Sequence, residues 1–205
     1  MIAIIDYGVG NLFSLRCSLE KIGADVVVTQ DPAVLRNAEK LLLPGVGAFE
    51  DAAKKLRSNH LDQVVIEEAT NGKPLLGICL GMQMLFEKSY EYGEHAGLGL
   101  LKGQVIGMEG TIPAGLQIPH IGWNALHFHQ PDCPLFRHIQ EQDCVYFVHS
   151  YYAVGCDDSL AATAEYGKPL TAAVSKNNIF GCQFHPEKSG TVGLAILKAF
   201  CELEV

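Results

Sequence analysis

Apolar positions along the chain switch between two periods. Ile2 to Asp6 is an apolar run closed by an acid, and it predicts a buried strand. Leu12, Leu15, Leu19 and Ile22 then recur at three- and four-residue spacing, so they mark one face of a helix that stops at Gly23. Asp25 to Thr29 predicts a second strand, and Asp31-Pro32 a helix start with a capping acid before proline. Lys40 to Leu43 predicts a third strand, with a helical pattern resuming after Phe49. Leu61 to Thr70 predicts a helix ended by Asn71-Gly72. Pro74 opens the apolar run that ends at Cys79, and Met82, Leu85 and Phe86 follow at helical spacing. Strand and helix alternate throughout, which implies a parallel sheet with helices on both faces.

After about residue 100 the pattern changes. Gly103 to Met108, Leu126 to Phe128, Cys144 to Val148, Leu160 to Glu165 and Leu170 to Val174 are short strand-like runs separated by turns. They predict antiparallel strands added to the parallel sheet. Ile179 to Phe184 predicts a last strand, and Val192, Leu194, Ala195, Leu197 and Phe200 a C-terminal helix. The expectation is an α/β fold: a mostly parallel central sheet flanked by helices, with antiparallel additions, in one domain over residues 1–205.

Composition narrows the function. The chain has 205 residues, 48% hydrophobic and 19% charged, with a formal net charge of -8. That charge argues against a nucleic-acid or anionic-membrane partner. Asp6 follows the first apolar run at once, so the start does not read as a secretory leader, and no run reaches the ~18 residues of a membrane span. Seven cysteines without a C-x-x-C pair suit reduced thiols in a cytoplasmic protein. Gly8-x-Gly10 lacks the third glycine of a dinucleotide fingerprint, because Phe13 stands there. His127 and His129 share a strand face, but without a third ligand they do not make a metal site. Neither metal nor cofactor is expected.

The informative stretch is Gly77-Ile78-Cys79-Leu80-Gly81, a G-x-C-x-G pattern where a strand turns into a helix. This is the cysteine version of a nucleophile elbow. The turn strains the central residue, and glycines two positions away on either side avoid collisions. Cys79 would then project at a helix N-terminus, where the dipole and free N–H groups favour a thiolate. The N–H of Leu80 would face a developing oxyanion. The plainer alternative is a small buried hydrophobe, as free cysteines commonly are. Pro44-Gly45-Val46-Gly47 lies at the same sheet edge, either as a tight turn or as the other half of an oxyanion hole near Gly47.

His185-Pro186-Glu187 follows the last strand. A cysteine nucleophile needs a histidine to take its proton and return it to the leaving amine, and that histidine needs an acceptor to fix its tautomer. On these segments, together with Ile5-Asp6-Tyr7-Gly8, Pro119 to Asn124 and Phe147 to Tyr151, the chain resembles class I (triad) glutamine amidotransferases along nearly its whole length. More narrowly it is similar to the glutaminase subunits of imidazole glycerol phosphate synthase, which act in histidine biosynthesis.

That resemblance implies a flavodoxin-like fold with glutamine as substrate. It makes Cys79 the nucleophile, His185 the acid and base, and Glu187 the orienting group. Gln83, Glu91, Ser150 and Tyr151 would hold glutamine. A barrel-shaped cyclase subunit would receive the ammonia, with Asn11, His120, Trp123 and Lys188 facing it. Trp123 taken alone reads equally well as a core residue. Two alternatives stay open: a glutaminase serving another acceptor, and a non-catalytic flavodoxin-like binding module.

Overall fold

The computed structural model describes residues 1–204. The first half alternates as expected: β1 (Ile2–Ile5), α1 (Leu12–Lys21), β2 (Val26–Thr29), α2 (Pro32–Asn37), β3 (Lys40–Gly45), α3 (Phe49–Ser58), α4 (Leu61–Thr70), β4 (Leu75–Cys79) and α5 (Leu80–Met84). Then come β5 (Phe86–Ser89), β6 (His95–Ala96), β7 (Leu101–Gly107), β8 (His120–Ala125), β9 (His127–Phe128), β10 (Cys144–His149), β11 (Tyr151–Val154), β12 (Leu160–Glu165), β13 (Pro169–Lys176), β14 (Ile179–Cys182) and α6 (Gly190–Cys201). α2 starts where its sequence signal lies: Asp31 Oδ1 accepts from Ala33 N at 2.8 Å and Pro32 is the first helical residue.

The main sheet has eight strands in the order β2-β1-β3-β4-β14-β13-β12-β9. From β2 to β14 neighbouring strands are parallel, and from β14 to β9 they are antiparallel. The inner parallel strands β1, β3 and β4 are buried throughout, because helices cover both faces. One face packs Leu41 and Leu43 against Leu35, Leu56, Leu61 and Val65 of α2 to α4. The other packs Leu42, Leu76 and Phe180 against Leu15 and Leu19 of α1 and Leu197 and Phe200 of α6.

Three sequence expectations change. The helix after Cys79 ends at Met84, and Phe86 begins a strand instead of extending the helical face. Leu85 O accepts from Leu100 N at 2.9 Å and Leu101 N at 3.0 Å, which diverts the backbone into a sheet. Of the five short runs, Gly103 to Met108 and Cys144 to Val148 do not join the main sheet. β7 belongs to a four-stranded sheet, β11-β7-β5-β6, and β10 to a two-stranded sheet with β8. Both β8 and β11 are strands that the hydrophobic pattern did not single out.

Candidate active site

β4 lies between β3 and β14 and runs parallel to both, with Gly45 opposite Cys79 and Cys182 opposite Ile78. The carboxyl ends of these three strands therefore stand side by side. The chain leaving β3 enters Val46-Gly47, and the chain leaving β14 runs through Gln183 and Phe184 to His185. Cys79 is thus set between the glycine loop and the histidine.

The elbow carries the strain its sequence implies. Cys79 has φ 54° and ψ −111°, a conformation that L-residues rarely adopt. A Cβ on Gly77 would lie 2.7 Å from Gly81 O, and one on Gly81 would lie 1.7 Å from Leu43 O. Leu80 is the first residue of α5, so its N–H has no partner within the helix and points out of the elbow's end. Tyr7 reinforces the adjoining strand by donating its hydroxyl to Pro44 O at 2.7 Å. Burial, together with the nearby Cys79 sulfur, raises the Tyr7 phenol well above its usual range and keeps it a neutral donor.

His185 Nδ1 donates to Glu187 Oε1 at 2.8 Å, with both side chains only 3% exposed. The turn holding them is pinned: His185 N donates to Tyr146 O at 3.0 Å, and Ser189 Oγ donates to His185 O at 2.7 Å. Burial favours the neutral imidazole, but hydrogen bonding and charge from Cys79 and Glu187 outweigh it and lift His185 to about 9. The arrangement favours a cysteine–imidazolium pair. Such a pair can attack an electrophilic carbon and then hand the proton to a leaving group. Gly47, with φ +94°, begins the opposite wall of the site.

These groups open into a cavity of about 620 Å³ lined by Gly47, Cys79, Leu80, Gln83, Glu91, Ser150, Tyr151, His185 and Lys188, among others. The structure brings all four glutamine-binding candidates to it. Glu91 Oε2 accepts from Phe49 N at 2.6 Å, so it caps α3, whose own N-cap residue, Ala48, makes no side-chain hydrogen bond. Burial raises the Glu91 carboxyl. Gln83 Nε2 donates to Tyr151 O at 3.1 Å and to Gln183 Oε1 at 3.0 Å. Sequence reasoning missed two residues here. Tyr92, 87% exposed with φ 55°, rests edge-on against Tyr151 at the cavity mouth. Gln183 is fully buried beside Cys79. Neither stands in a pattern that spacing would reveal.

The four residues matched to a partner surface divide. Trp123 is 55% exposed and Lys188 is also exposed, whereas Asn11 is half-buried and caps α1 through Ser14 N. His120 is corrected: it is 1% exposed, sandwiched between Phe147 and Tyr166, and its ring is not on a surface. It joins a buried chain. His149 Nδ1 meets Tyr151 O at 2.9 Å, and His149 Nε2 meets His120 Nδ1 at 3.1 Å. His120 Nε2 meets Asn124 Oδ1 at 2.7 Å, while Asn124 Nδ2 donates to Glu165 O at 2.9 Å. Of the two histidines on β9 and beyond it, His127 pairs with Glu141 and His129 with Thr163.

Burial, with smaller repulsion from His120 and His185, holds His149 down at about 3. On unfolding its ring regains the ordinary value of about 6.5. Between those values the unfolded chain binds more protons, so stability falls as pH falls. His185, being raised, acts in the opposite direction, and a comparison with His149→Gln isolates the effect. Denaturant titrations should show the wild type losing about 2 kcal/mol more than that variant between about pH 7 and pH 5. Equal losses would refute the assignment.

A strained cysteine beside a carboxylate-bound histidine, at the carboxyl edge of a parallel sheet, defines a class. Residues 3–202 match the family model "Glutamine amidotransferase class-I", and the chain belongs to that family. Within it the chain falls among the HisH subunits. It is 48% identical over 203 residues to imidazole glycerol phosphate synthase subunit HisH of Lacticaseibacillus casei (strain BL23), covering 99% of this chain and 96% of that one. Against the same subunit of Bacillus velezensis it is 50% identical over 206 residues, with the same two coverages. The fold matches solved structures described as a glutamine amidotransferase (TM-score 0.76, 18% identity, 98% of each chain) and as PurLQS from Thermotoga maritima (TM-score 0.72, 22% identity, 97% and 96%). The reading as a non-catalytic binding module is thereby set aside.

Proposed function

We propose that this chain is the glutaminase subunit of an imidazole glycerol phosphate synthase, a single catalytic domain over residues 1–205 working in the cytoplasm. The observation that carries the reading is that the Cys79 elbow and His185 line one cavity, with His185 bonded behind to Glu187. The Cys79 thiolate attacks the side-chain amide carbon of glutamine. N–H groups near Gly47 and of Leu80 hold the oxyanion. His185, oriented by Glu187, protonates the departing ammonia. It then takes a proton from the water that hydrolyses the glutamyl thioester, releasing glutamate. Gln83, Glu91, Ser150 and Tyr151 hold the substrate.

The ammonia passes to a barrel-shaped cyclase subunit, which makes imidazole glycerol phosphate and aminoimidazole carboxamide ribotide. Exposed apolar side chains support that docking: Phe13, Ile121 and Trp123 are 78%, 58% and 55% exposed. Among the described residues no helix is long and apolar enough to cross a membrane. The test mixes the chain with the purified cyclase and its formimino-carboxamide ribonucleotide. Glutamate release should rise above that of the chain alone, with ammonia incorporated into product. An electrophilic glutamine analogue should label Cys79, and an adduct on another cysteine would overturn the assignment.

A further inference from the structure

Gln183 lies inside the protein with no exposed surface, and the established chemistry gives it no task. Its amide makes two side-chain contacts. Oε1 accepts from Gln83 Nε2 at 3.0 Å, and Nε2 points at Cys79 Sγ at 3.8 Å, within range for a hydrogen bond to sulfur. The direction of these bonds follows from a neighbour. Tyr151 O is a backbone carbonyl and only accepts, and Gln83 meets it at 3.1 Å, so the Gln83 atom there is the NH₂ group. The same NH₂ faces Gln183, which must answer with its carbonyl. The Gln183 NH₂ is then left facing the sulfur. Turning Gln83 over would set acceptor against acceptor at a buried contact, and turning Gln183 over would set donor against donor.

We infer that Gln183 is a positioning residue for the nucleophile, a donor of fixed polarity that holds the Cys79 sulfur and favours its thiolate. A buried neutral amide aimed at a charged acceptor stabilises that charge alongside the imidazolium. The chain Tyr151–Gln83–Gln183–Cys79 also ties a wall of the glutamine cavity to the reacting sulfur. His185 serves the proton, and Gln183 serves the atom left behind.

The inference rests on Cys79 being the nucleophile, and the test separates the two. Full-length wild type and Gln183→Met are treated with iodoacetamide at about pH 7 and about pH 9.5, and alkylation of the Cys79 peptide is followed by mass spectrometry. Losing one donor to a charged acceptor should lower the ratio of the slow to the fast rate on the order of tenfold, with the high-pH rate nearly unchanged. Gln83→Met removes the contact that fixes the Gln183 amide but keeps the amide itself, so it should raise KM for glutamine and lower that ratio by less than Gln183→Met does. In wild-type protein, which needs no variant to fold, the Gln183 side-chain amide resonance should shift over the pH interval in which Cys79 alkylation rises. An unmoved ratio in Gln183→Met, or a flat resonance, overturns the inference even where the glutamine analogue labels Cys79. Failure of that label would instead sink the assignment of the nucleophile.

Discussion

Cys79→Ala is expected to lower glutamine hydrolysis on the order of 10⁴-fold or more, with the fold retained. The loss is large because no other group can take over. His185 would have no thiol to deprotonate, and without a thioester the amide bond would have to be cleaved by water directly. Stability should change little, since alanine keeps the backbone of the elbow and removes one sulfur from a residue that is 8% exposed. The double variant Cys79→Ala/His185→Ala should be scarcely worse than the single one, because the two act as a unit. Glutamate release, measured with the cyclase present, checks both statements. Turnover within tenfold of the wild type would end the proposed chemistry.

Gly81→Ala should act on the fold itself. Its Cβ would stand 1.7 Å from Leu43 O and 2.7 Å from Leu43 C, and both are backbone atoms inside the sheet. No side chain can swing aside, so β3 and α5 must separate. The expected cost is about 4 kcal/mol or more, seen as a lowered denaturation midpoint or as insoluble protein. Gly107→Ala is the control. Its Cβ would meet nothing nearer than 3.5 Å, and a loss under about 1 kcal/mol is expected. Comparable losses for the two variants would show that crowding at the elbow is not what demands glycine.

Much of this was legible in the sequence because the first half obeys simple periods. β1, β3 and β4 are apolar runs because both their faces are buried, and α1 to α4 carry an apolar stripe because only one of theirs is. The elbow and His185-Pro186-Glu187 could be found because strained turns demand glycine and proline at fixed positions. The second half was less legible. A period of two says that a segment is a strand but not which strand it meets, so β7 and β10 were expected in the wrong sheet. The resemblance alone sets His120 at a partner surface, and nothing in the sequence shows that two aromatic rings enclose it. Gln183 sits just past an apolar strand, and only the geometry shows what its amide faces.

The chain of contacts through His149 and His120 has an arithmetic of its own. It begins and ends on backbone carbonyls, of Tyr151 and Glu165, which bring no hydrogen. Four junctions must be bridged, yet each neutral imidazole supplies one hydrogen and the Asn124 amide supplies one along this line, three in all. The shorter junctions, at 2.9, 2.7 and 2.9 Å, claim those three, and the 3.1 Å gap between the rings goes without. The protein therefore carries a proton hole, a seat for a single H⁺ shared by two nitrogens. It lies between the strand that bears Trp123 and the corner that bears Ser150 and Tyr151. Acid would fill that seat and complete the wire, but only by placing a charge on buried rings.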